Sequence, residues 1–202
     1  WLNKAKSLET DYSEQARING LQRDLYQRYA RYEQGIAAAE EYARTGADVS
    51  TYLRDRKDDA RAYAAGLRAA TGDQNALTVL KDLVMKKPQN YELRKQYSVA
   101  LIQQKQYAAA VSTLQEAQRI LSASRNGRPD FDLLMAEAEL AQQHNSEAQT
   151  LLKDLPAQVQ RLSETDRLRL VRVLAAAGQK EQAKTIFGKM KQGGLPAYTI
   201  DY

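Results

Sequence analysis

A set of apolar residues at fixed offsets recurs four times in this chain: an alanine, a bulky residue four positions on, and a second apolar residue seven on. The sets are Ala76/Leu80/Leu83, Ala110/Leu114/Ala117, Ala148/Leu152/Leu155 and Ala183/Phe187/Met190. Thirteen residues before each alanine stands Tyr63, Tyr97, Met135 or Leu170, followed by the smaller Ala64, Ser98, Ala136 or Val171. Offsets of four and seven mark one face of an α-helix. Two such helices within a period of about 34 residues describe a helix pair that is repeated along the chain.

The clearest unit lies between Pro88 and residue 121. After the break at Pro88-Gln89-Asn90, YELRKQYSVALIQQ reads as a first helix, Lys105-Gln106 as a turn, and YAAAVSTLQEAQRIL as a second helix. Small residues at Ser98 and Ala110 let two helix axes approach, while Tyr97 and Leu114 fill the space beside them. This pattern resembles the tetratricopeptide repeat family: a large residue then a small one, a later alanine, a bulky residue four on, and a closing proline. The resemblance covers residues 58–191 in four units. It implies an all-α fold, a right-handed superhelix (an α-solenoid) of antiparallel helix pairs, and a scaffold that binds proteins without catalysis.

The first unit turns at Gly72-Asp73 and closes at Pro88. The third turns at His144-Asn145 and closes at Pro156; Glu139 stands where an apolar residue is expected, and Leu140 takes that role. The fourth turns at Gly178. Residues 1–57 read as N-terminal helices. They contain a degenerate repeat if Gly35, Ala39 and Tyr42 hold the patterned places, or one long helix over 16–32. Residues 122–130 read as an exposed loop because Gly127 and Pro129 oppose helix. Residues 192–202 leave the repeats, as a disordered exit or the start of another domain.

Composition supports the helical reading: glycine and proline number only 10 and 4 of 202 residues, and alanine with straight-chain residues dominates. No apolar run approaches the ~20 residues of a membrane span. The start at Trp1, with no apolar leader, reads as an excised fragment. Cysteine is absent, which removes disulfides, thiolate nucleophiles and cysteine zinc sites. The net charge of +5 comes from 12 basic and 11 acidic residues before position 71, and 18 and 14 after it. That thin spread argues against a nucleic-acid surface.

Catalysis has little to start from. The single histidine, His144, falls in a turn with no partner placed by spacing, and no phosphate-binding or zinc-helix motif occurs. Glu40-Glu41 and Asp58-Asp59 lie at helix ends or exposed faces, where the helix dipole explains the latter pair. No cofactor or metal is expected. Binding has more candidates. Arg161, Arg167, Arg169 and Arg172 form the densest basic patch, and Arg169 and Arg172 share one face of a first helix, the helix that lines the concave groove in the family. They are suited to a partner carboxylate; the plainer reading is a solvated face balanced by Glu164 and Asp166. Tyr26, Tyr29 and Tyr32 form a stripe suited to a peptide or glycan, or to packing between repeats, whereas Tyr63 and Tyr97 read as core. Lys95 matches a position of the carboxylate clamp of chaperone-binding family members. Val99, Leu133 and Glu137 stand at the other clamp positions, so that clamp is not assembled.

The loosely matched, alanine- and glutamine-rich, cysteine-free repeats are similar in style to periplasmic regions of Gram-negative exopolysaccharide export proteins. That similarity implies a place in an envelope polysaccharide-export assembly, with a protein partner and a location in the periplasm. The alternatives are a carbohydrate-contacting guide for an exported polymer and a cytosolic adaptor. Self-association through an uncapped end is a further expectation.

Overall fold

The computed structural model describes residues 32–45, 57–120 and 128–192. Nine α-helices and one 3-10 helix make up the described residues, with no strand among them. The chain divides into two compact units, residues 1–104 and 105–202.

In the first unit, α1 (Tyr32–Thr45), α2 (Lys57–Ala70), α3 (Asn75–Lys86) and α4 (Tyr91–Gln103) pack around α2, which touches each of the others. A four-residue link between α2 and α3, and another between α3 and α4, forces these neighbours antiparallel. The core holds Ala62, Ala65, Ala69, Ala76, Leu80, Leu83, Val84, Leu93 and Ala100. So many alanines on α2 permit close helix approach. Gly66 faces the tip of the Gln96 side chain: a Cβ there would lie 2.9 Å from Gln96 Oε1, which would have to shift. Helix α4 starts at Asn90, whose side chain accepts a hydrogen bond from the Leu93 amide at 3.1 Å, satisfying a donor the helix leaves over. Ser98, wholly buried, donates to the Arg94 carbonyl at 2.9 Å.

In the second unit, α5 (Tyr107–Ile120), α6 (Pro129–Ala141), α7 (Asn145–Leu152), a 3-10 helix (Leu155–Arg161), α8 (Glu164–Ala176) and α9 (Lys180–Gln192) follow in order. Helix α6 is central, packed on α5, α7, α8 and the 3-10 helix. That explains why PDFDLLMAEAELA carries apolar residues on all sides rather than one stripe. Leu133, Ala136, Leu152, Leu155, Leu162, Leu170, Val173, Leu174, Ala183 and Ile186 form the core.

The patterned residues are buried in the way the spacing predicts. Ala76, Ala110, Ala148 and Ala183 are all buried, as are Leu80, Leu114 and Leu152. Phe187 and Met190 are only half-buried. Tyr63 and Tyr97 depart from expectation in the same way: both are half-buried, and Tyr97 lies against the edge of the first unit's core, where burial raises its phenol above the ordinary range. An edge position suits tyrosine because its ring packs while its hydroxyl stays near water.

Three local differences from the sequence reading have simple causes. Pro129 and Asp130 open α6 instead of ending a loop, because proline at a first helical position loses no hydrogen bond and has the right φ. Residues 121–127 lie outside the described residues. The second helix of the third pair stops at Leu152, and Pro156 sits in the 3-10 helix that follows. Glu139 is not idle either: it receives His144 Nδ1 at 2.7 Å, giving that histidine the partner spacing did not reveal. Leu140 takes the apolar role beside it, packed against the core.

Each turn between the helices of a pair contains one left-handed residue: Gly72 (φ 92°), Lys105 (59°), Gln143 (66°) and Gly178 (82°). Glycine adopts this conformation freely, whereas a side chain costs about 1–2 kcal/mol. Gln143→Gly and Lys105→Gly are therefore expected to stabilise the chain by about 0.5–1 kcal/mol each, after the entropy glycine loses on folding. Urea titration of the two variants checks this, and a lower midpoint for both would contradict the strain argument.

Candidate protein-binding face

Helices α6 and α8 are neighbours, each the first helix of its pair. Glu137, Leu140 and Ala141 fall on one face of α6, at offsets of three and four. Arg169, Arg172, Val173 and Ala176 fall on one face of α8, at offsets of three, four and seven. Where these stripes meet, Glu137, Leu140, Ala141, Arg172, Val173 and Ala176 line an open depression of about 320 Å³. Its origin is side-chain size. Val173 is buried and Leu140 half-buried, so they form an apolar floor, while the exposed Ala141 and Ala176 are too short to close it.

Charge in this depression is arranged by one ion pair. Arg169 Nη1 donates to Glu137 Oε2 across the two helices. The side chains are 13% and 28% exposed respectively, so the pair is partly shielded from water and less screened than a surface pair. The Arg169 Nε is buried and makes no hydrogen bond among the described residues. Arg169 is thus not the open cation that the sequence suggests, and its counter-charge is Glu137 rather than Glu164 or Asp166.

Two more members of the basic patch, Arg167 and Arg161, are also drawn into the structure. Arg167 donates to the carbonyls of Val159 (3.0 Å), Leu162 (3.1 Å) and Gln160 (3.3 Å), tying the 3-10 helix to α8. Arg161 donates to Gln158 Oε1 at 2.7 Å. Arg172 is exposed and makes no ion pair or hydrogen bond among the described residues. The depression therefore presents a single open cation above an apolar floor.

The other candidates lie elsewhere. Lys95 is on α4 in the first unit, half-buried and already engaged. Tyr26 and Tyr29, and the side chain of Tyr32, lie outside the described residues. The carboxylate pairs are used structurally: Asp58 meets Lys87 at 2.8 Å and Arg61 at 3.8 Å, Glu40 pairs with Arg68, and Glu41 with Arg44 at 2.6 Å. No cluster of metal-ligating side chains occurs among the described residues, nor any helix long and apolar enough to cross a membrane.

Sequence reasoning found Arg169 and Arg172 but not Leu140, Ala141, Val173 and Ala176 as lining residues. A signal was present: Glu137 and Arg169 are 32 residues apart, close to one repeat, so they fall on successive first helices.

Comparison with known proteins agrees with the helix pairs. The family model described as tetratricopeptide repeat matches residues 74–121, the stretch from the turn before α3 to the end of α5. No curated protein and no solved structure matches the chain.

Proposed function

We propose that this chain, which matches the tetratricopeptide repeat model over residues 74–121, is a non-catalytic scaffold that receives a protein partner on the α6/α8 face. The carrying observation is the depression itself, an apolar floor between two first helices with an exposed, open arginine at its rim. The patterned apolar residues of each pair serve packing, so partner binding falls to side chains outside that pattern. Arg172, Ala141 and Ala176 are such side chains.

The test uses the full chain as bait, with Arg172→Glu/Ala176→Glu as the face variant and Gln149→Glu, on the exposed side of α7, as control. The face variant is expected to lose the partner that the wild-type chain and the control retain. Arg169→Glu is avoided because it would set a second carboxylate against Glu137 and disturb packing. Retention of the partner by the face variant, with an unchanged melting temperature, removes this face from the proposal.

For the setting, we favour a Gram-negative periplasm beside exopolysaccharide export. The support is compositional: cysteine-free, alanine- and glutamine-rich repeats with loose matching. Flanking sequence tests it. A signal peptide upstream and alternating strands downstream support the setting, and a cytosolic enzyme domain on either side ends it.

A further inference from the structure

We propose that the α6/α8 depression takes an acidic–apolar peptide segment, with a carboxylate on Arg172 and the adjoining apolar side chain on Leu140 and Val173. This rests on the scaffold reading above and adds the chemistry of the partner. It also assigns Arg169 a positioning role: by holding Glu137, it keeps Arg172 open.

The argument is one of charge complementarity. Glu137 and Arg172 line the depression, and Arg169 reaches it through its ion pair with Glu137. The Glu137–Arg169 pair cancels locally, leaving the net charge of Arg172. A guanidinium presents a planar fork that matches a carboxylate with two parallel hydrogen bonds. Beneath it, Leu140, Val173 and the methyls of Ala141 and Ala176 offer only apolar contact. A lysine-bearing segment would meet like charge, and a wholly apolar one would leave Arg172 covered and unpaired.

Glu137 and Arg172 line the same depression, where Glu137 is the one carboxylate among the lining residues and so a competitor for Arg172. Arg169 removes that competition. If Arg169 were replaced by an apolar side chain, Glu137 would turn to Arg172 and block the carboxylate site from within. Removing both members of the pair would open the site again. A purely structural role for Arg169 predicts no such rescue.

Fluorescence polarisation with the full 202-residue chain tests this, using labelled Gly/Ser dodecapeptides with blocked ends and a central Leu-Glu-Leu, Leu-Gln-Leu or Ser-Glu-Ser. Leu-Glu-Leu is expected to bind about threefold to tenfold more tightly than either control. Its affinity is expected to fall between 50 and 300 mM NaCl, roughly as screening of a half-exposed pair requires. Arg172→Gln should erase the preference for Glu over Gln. Arg169→Met should weaken Leu-Glu-Leu binding, and Arg169→Met/Glu137→Met should restore it, with melting curves confirming that each variant is folded. Equal binding of the Glu and Gln peptides, or no binding of either, overturns the proposal. An unrescued Arg169→Met overturns the positioning role. If the peptides fail while partner capture still depends on the α6/α8 face, the scaffold reading stands and only the acidic–apolar partner falls.

Discussion

Truncating Leu170 to alanine is expected to lower the unfolding free energy by about 3–4 kcal/mol, the cost of lost burial plus an unfilled cavity at a closed core position. Leu170 is wholly buried in α8, in a core shared with residues of α6, α7 and α9. It is also the patterned residue that precedes Ala183 by thirteen positions. For a chain of this size, each kcal/mol shifts the melting temperature by about 2–4 °C, so a drop of roughly 6–16 °C should be seen. Val171, the next residue, is half-buried, and Val171→Ala should cost much less. Thermal melts of both variants beside the parent check the assignment. Equal losses would mean that the patterned position is not the one that holds α8.

The second large effect concerns Asp130 and depends on pH. Asp130 opens α6, and its carboxyl is raised from 3.8 to about 6. Burial is the main cause, and the charge of Asp166 adds to it; the Asp130 and Phe131 amides act in the opposite sense, and Asp132 contributes a smaller rise. Asp166 is itself buried in the first turn of α8 and accepts the Ser163 hydroxyl at 2.6 Å. A raised carboxyl binds its proton more tightly folded than unfolded. Its contribution is therefore fully present below about pH 4 and is lost as pH rises through about 6. At pH 7–8 the ionised Asp130 weakens the fold.

Asp130→Asn is accordingly expected to stabilise the chain at pH 8 by about 1–2 kcal/mol, less than the full shift implies because water still reaches part of the site. The advantage should shrink steadily as pH falls from 7 towards 4. Urea midpoints of parent and variant across that range read it directly. A gain that is constant with pH, or a loss at pH 8, would show that the carboxylate is compensated by its surroundings.

Legibility in the sequence followed the reach of the interaction. The turn at Gly178, the break at Asn90 and the buried alanines are set within a few residues of chain, where offsets of three, four and seven leave little choice. The start of α6 is not legible in the sequence because proline opposes helix at most positions, whereas at a first helical position it is compatible with the helix. His144 looked isolated because its partner, Glu139, depends on the path of a turn with Gln143 in the left-handed region.

The sequence by itself determined that the described chain is helical and which faces its helices bury. Helix periodicity fixes which residues share a face, and the four patterned sets fix which face must leave water. Only the tertiary structure decided the fate of the charges. Arg169 and Arg172 are alike in the sequence, three positions apart on one face of α8, yet one is held by Glu137 and the other stands open at the rim. That difference comes from the rotation and offset of α8 against α6, which bring side chains 32 residues apart into contact. A repeat period does not encode that offset to within the length of a hydrogen bond.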